Sequence, residues 1–150
     1  MAEEVILSHL FFRSCKEDVM LYQTDLTATR ALYADDTGWC DCIYCRNYTQ
    51  TLPKQHPEAV KALETLGLRH DRALEIMEYG MNESETGRIY EAYYPVIGTL
   101  EQDALPVLRG EVTITLYRSD SERITYPSPA VDQPYFMAVL SVTLPWELTE

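Results

Sequence analysis

Gly38-Trp39-Cys40-Asp41-Cys42-Ile43-Tyr44-Cys45-Arg46-Asn47-Tyr48 holds three of the chain's four cysteines and one of its two tryptophans. It also marks the change of period that decides the fold class. Before it, residues 5–14, 19–24 and 26–34 read as short strands, with Tyr22, Leu26, Ala28 and Leu32 as core contributors. Asp35-Asp36-Thr37-Gly38 is turn chemistry, because Asp and Gly tolerate the left-handed backbone that turns need.

Helical signals follow the cysteines. Residues 43–52 are expected to form about three turns, ended by Pro53, which has no N–H to donate. Pro57 then opens a second helix, with Ala59, Val60, Leu63 and Leu66 along one face and Gly67 at its stop. Asp71 is placed to cap a third helix burying Leu74, Met77 and Ile76. The polar run from Met81 to Gly87 reads as a loop.

Beyond Arg88 the period falls to two. Ile89–Leu100 alternates loosely around Pro95, which implies an edge strand or a bulge. In 111–118, Val112, Ile114 and Leu116 face one way and Thr113, Thr115 and Tyr117 the other. A turn at Ser119-Asp120-Ser121 leads to a short strand at 122–126. A last strand at 135–144 places Phe136, Ala138, Leu140, Val142 and Leu144 on one face. Strands, then helices, then strands joined by short turns imply antiparallel pairing. The expected class is therefore α+β: one domain, with an antiparallel sheet or sandwich from both chain ends and a helical insertion at about 43–79.

A chain of 150 residues is most economically one domain. No apolar run approaches the ~18 residues that span a bilayer. The acidic start, and Ser8 and His9 within the first apolar stretch, argue against a secretory signal, so a cytoplasmic location is expected. Net charge is −12, divided as 12 acids and 8 bases over residues 1–75 and 12 acids and 4 bases over 76–150. Such a surface repels phosphate backbones and argues against nucleic acid as a partner. It serves solubility; a decoy surface that mimics nucleic acid for a basic partner is the sharper alternative.

The spacing Cys40-x-Cys42-x-x-Cys45 supports three readings. Extended residues 39–42 would put Cys40 and Cys42 on one face, and a helix starting near 42 would put Cys42 and Cys45 on one face. A corner between the two could gather three sulfurs for zinc, with a fourth ligand from His56, the nearest in sequence, or from Cys15, His70 or His9. Cys42-x-x-Cys45 after Trp39-Cys40 also echoes thioredoxin-like dithiols, although Asp41 stands where Trp is expected and opposes a thiolate. Finally, reduced cysteines pack as small apolar residues beside Trp39 and Tyr44.

Other signals are weaker. Asp36-Thr37-Gly38 matches the tripeptide of aspartic proteases, but the second copy that would share its proton is absent, and a turn explains it. The scattered histidines His9, His56 and His70 support no triad, and His70 reads as a solvated position before a cap. Among eleven tyrosines, Tyr90 and Tyr94, together with Trp146, are the candidates for an exposed aromatic surface.

The segment Gly38–Tyr48, Pro57-Glu58 with Leu66-Gly67-Leu68, and the closing Leu144-Pro145-Trp146-Glu147-Leu148 resemble a family of small uncharacterised bacterial proteins. The resemblance implies a bacterial, cytoplasmic protein and carries no chemistry. The expected function is a non-enzymatic binding or interaction protein with an unidentified protein partner, stabilised by zinc at Cys40, Cys42, Cys45 and His56. The alternative is a thiol redox protein, or another enzyme, using the same corner.

Overall fold

The computed structural model describes residues 5–6, 11–13, 18–34, 40–124 and 129–148, with side-chain surroundings from Leu21 onward. In chain order the elements are β1 (Val5–Ile6), β2 (Phe11–Arg13), β3 (Asp18–Met20), β4 (Tyr22–Asp25), α1 (Leu26–Leu32), α2 (Ile43–Gln55) and α3 (Pro57–Thr65). A 3-10 turn at His70–Arg72 precedes β5 (Glu75–Met81), β6 (Arg88–Leu100), β7 (Leu105–Leu108), β8 (Val112–Arg118) and β9 (Tyr135–Leu144). The strands form an antiparallel sheet in the order β1-β4-β6-β9-β8-β7, with β5 also on β6, while β2 and β3 pair apart. This is the expected α+β class.

Neither the edge strand nor the bulge expected from Pro95 is found: β6 is central, and its register against β9 passes through Pro95 unbroken. β9 pairs with it from Arg88 to Ile97. Its other side is shared, with β5 against Arg88–Tyr93 and β4 against Gly98–Leu100. Pro95 falls in the gap between them, where no ladder needs its missing N–H. Helix α1 fills that gap with side chains. Tyr33 donates its hydroxyl proton to the Pro95 carbonyl at 2.7 Å, and the Ile97 N–H donates to Thr29 Oγ1 at 3.0 Å. At the far end Gly98 adopts a φ of +152°, and a side chain there would run into the Gln23 carbonyl, so glycine is what lets β4 close on β6.

Two expected elements change type. Residues 26–32 are helical rather than extended: Asp25 Oδ1 accepts from the Ala28 N–H at 3.0 Å as an N-cap, and Leu26 and Thr29 share the buried side. The expected third helix is instead the 3-10 turn followed by strand β5. Leu74 and Met77 are three apart, as on a helix, but Met77 packs with Tyr93 and Val139 while Ile76 packs on the opposite core. Adjacent residues facing opposite ways require a strand. The helical insertion therefore ends at Arg72. Asn82 closes the following turn, its Oδ1 accepting from the N–H groups of Thr86 and Gly87. Residues 122–124 form a turn rather than a strand, and 125–126 lie outside the described residues. The turn at 35–38, with its Asp-Thr-Gly, also lies outside them.

Helices α2 and α3 cover one face of the sheet. Tyr90, Ala92, Tyr94 and Val96 of β6 meet Val112, Ile114 and Leu116 of β8 and the expected alternate residues of β9. Tyr48, Leu52, Ala59 and Leu63 from the helices complete that core. Each fully buried valine, leucine, isoleucine or phenylalanine among them contributes about 1.5–3 kcal/mol. α3 begins and ends as expected, with Pro57 in its first turn and Gly67 at φ +86° beyond Leu66.

Tyr90 and Tyr94 are fully buried, which corrects the expectation of an exposed aromatic pair. Their polar tips have partners. Tyr94 donates to the His70 carbonyl at 2.7 Å, so the Tyr48 hydroxyl donates to that of Tyr94, also at 2.7 Å. Burial pushes the Tyr48 and Tyr94 hydroxyls well above the ordinary tyrosine range and keeps both as neutral donors. α2 continues through Pro53 to Gln55. The Thr49 carbonyl that Pro53 cannot serve accepts from His70 Nε2 at 3.0 Å, so His70 is half-buried and structural rather than solvated. Among the described residues no helix is long and apolar enough to cross a membrane.

The last tie is made by Asn47, fully buried on α2. Its Oδ1 accepts from the Glu147 and Leu148 N–H groups at 2.9 and 3.1 Å and from Thr51 Oγ1, and its Nδ2 donates to the Pro145 carbonyl and the Tyr90 hydroxyl. Asn47→Ala is expected to cost about 2–4 kcal/mol by orphaning the buried Leu148 amide and the part-buried Glu147 amide together with the Pro145 carbonyl. Urea unfolding measures the loss, and amide exchange at Glu147 and Leu148 should accelerate ahead of the β6–β9 core.

Candidate metal centre

The chain bends from extended to helical within the cysteine stretch. Cys42 is the N-cap of α2, with an extended backbone (φ −67°, ψ 168°), and Cys45 lies three residues on in the first turn. With Cys40 arriving just before, the three Sγ atoms lie within 4.8 Å of one another. Cys40 and Cys42 are exposed, Cys45 is buried, and none is in a disulfide. Sulfurs around a tetrahedral zinc at ~2.3 Å stand ~3.8 Å apart, so closing on one ion takes at most about 1 Å of contraction.

The helix start sets the charge of the site. No side chain caps α2, yet the Cys45 N–H is directed at the Cys42 sulfur and holds that thiol below the ordinary cysteine range. Hydrogen bonds from the Cys40 and Cys45 thiols and from the Tyr44 N–H add to this, against a desolvation cost. Burial pushes the Cys45 thiol far up, and its hydrogen bonds to Cys40 and Cys42 push the same way. Cys42 therefore loses its proton well before Cys45.

His56 does not join the cysteines. It stands at the far end of α2, about 20 Å along the helix from Cys42. There its Nδ1 lies 3.4 Å from Glu58 Oε2. His70 is occupied at Thr49, and Cys15 and His9 lie outside the described residues. Among the described residues, the group of potential ligands is the three cysteines alone.

An aromatic cluster adjoins them. Tyr44, between the ligand positions, packs edge to face on Trp146 with ring centroids 5.9 Å apart. The Arg88 guanidinium lies 5.4 Å from each ring centre and is paired with Glu78 at 2.7 Å. Ile43, Tyr44 and Trp146 are each about 40% exposed, so this end of α2 presents apolar surface to solvent. Trp146 was legible in the sequence as an exposed aromatic; Tyr44 and Arg88 were not, because their meeting depends on the register of β6 against β9.

Comparison with protein-family models, curated proteins and solved structures returned no match.

Two results are expected from alkylation of the metal-free protein followed by mass spectrometry. Cys42 should react with a midpoint below the ordinary thiol range, and Cys45 should stay unmodified until far higher pH. Reversal of that order would refute the charge assignment.

Proposed function

We propose that this is a non-enzymatic binding protein that holds one zinc ion on Cys40, Cys42 and Cys45. The observation that carries the reading is the mutual approach of three sulfurs at the first turn of α2. Thiolates suit zinc, and helix amides directed at a ligand sulfur stabilise its charged form. The net charge of −12 favours a cation and opposes nucleic acid. The bacterial cytoplasm implied by the sequence resemblance would keep the thiols reduced. In this reading the ion braces the start of α2, whose next turn carries Asn47 and so the chain's C-terminal segment.

A second reading, thiol–disulfide chemistry, is favoured by one observation. An exposed Cys42 at a helix N-cap stands in front of a buried Cys45, which is the arrangement of an attacking thiol and its resolving partner.

Metal analysis of the purified protein should find one zinc per chain, with Cys40, Cys42 and Cys45 protected from alkylation until a chelator is added. Bound zinc should fall as pH drops, because protons compete for the thiolates. Cys45→Ser should abolish binding and His56→Ala should leave it unchanged. Metal-free protein whose three thiols titrate freely would overturn the zinc reading.

A further inference from the structure

Cys45 lies beneath the three-sulfur group and is buried, while Cys40 and Cys42 stand on the solvent side. Among the described residues no fourth donor stands with them, so an ion held by all three would turn its remaining face toward solvent. Three protein ligands with an open fourth position is the pattern of zinc sites that take an external ligand, whereas structural sites are closed by four. We propose that the fourth position is filled from outside, by the imidazole of a histidine on a partner polypeptide whose neighbouring apolar side chain seats on Tyr44 and Trp146. This rests on the metal reading above and adds the partner's chemistry to it.

Charge selects the donor. A divalent ion on three thiolates carries −1, Asp41 is exposed between two of its ligands, and the whole chain carries −12. A fourth thiolate would add to that charge, whereas a neutral imidazole does not. Position selects the neighbour. Ile43 and Tyr44 follow Cys42 directly, and Trp146 packs on Tyr44. Beyond them Met81, Arg88 and Trp146 help line a cleft of about 260 Å³ with Glu85 on its edge. Exposed aromatic rings beside an open metal position fit a large apolar residue next to the coordinating histidine.

The test uses the full chain loaded with cobalt(II), whose absorption reports the number of thiolates and the coordination geometry. The expected spectrum shows three thiolates. Acetyl-His-Leu-amide should then shift the ligand-field bands saturably, while acetyl-Asn-Leu-amide should not. Tyr44→Ala should raise the half-saturating dipeptide concentration about tenfold with the three-thiolate spectrum kept. If no cobalt is taken up, the metal reading itself falls. If the protein alone supplies four ligands, and loses one in Cys15→Ser or His9→Asn, the chain closes its own site; this inference is then overturned and the zinc reading stands. A three-thiolate spectrum unmoved by the histidine dipeptide overturns it equally, and an unchanged half-saturation in Tyr44→Ala refutes the aromatic seat.

Discussion

The buried amide of Asn47 is the tie on which the arrangement of this end of the molecule depends. A single side chain satisfies two backbone N–H groups of the C-terminal segment, one of its carbonyls, a tyrosine hydroxyl of the central strand and a threonine of its own helix. An amide is suited to this because it offers two donors on one side and an acceptor on the other. Fully satisfied, such a group is tolerated in a core and holds one arrangement; half satisfied, it would be costly. Its position on α2 fixes where that helix crosses the sheet, and hence where the cysteines of the preceding turn and Trp146 of the following segment meet.

The central strand shows the same substitution of side chains for backbone. β6 has one long partner, β9, on one edge and two shorter ones on the other. Where neither reaches, Thr29 and Tyr33 of α1 provide the hydrogen bonds. A proline is admissible at that one point because α1 supplies there what a neighbouring strand would. Thr49, His70 and Pro53 repeat the logic: a residue that cannot donate leaves a carbonyl, and a side chain from elsewhere supplies the proton.

At the candidate centre, geometry and electrostatics point the same way. The helix start favours negative charge on the exposed sulfur, and burial keeps the deepest thiol neutral in the absence of a cation. The aromatic pair beside it is braced by Arg88, which lies over both rings and is anchored by Glu78.

By itself the sequence determined the fold class, helix α3 with its Pro57 start and Gly67 stop, the alternating strands β8 and β9, and the convergence of Cys40, Cys42 and Cys45. All of these rest on local geometry: the period of apolar residues, the chemistry of helix ends, and short ligand spacings. Tertiary structure alone decided that 26–32 is a helix, that 75–81 is a strand, that Pro95 sits at the centre of the sheet, that Tyr90 and Tyr94 are buried and that His56 stands a helix length from the sulfurs. Each of these outcomes depends on partners many residues away. The open edge of β6 claims Glu75–Met81, hydroxyls sixty residues distant serve Pro95 and Ile97, and His70, taking the Thr49 carbonyl that Pro53 leaves free, accompanies the run of α2 past Pro53 that carries His56 away from Cys42. Local sequence states which bonds a segment can make, and only the assembled sheet states which of them are on offer.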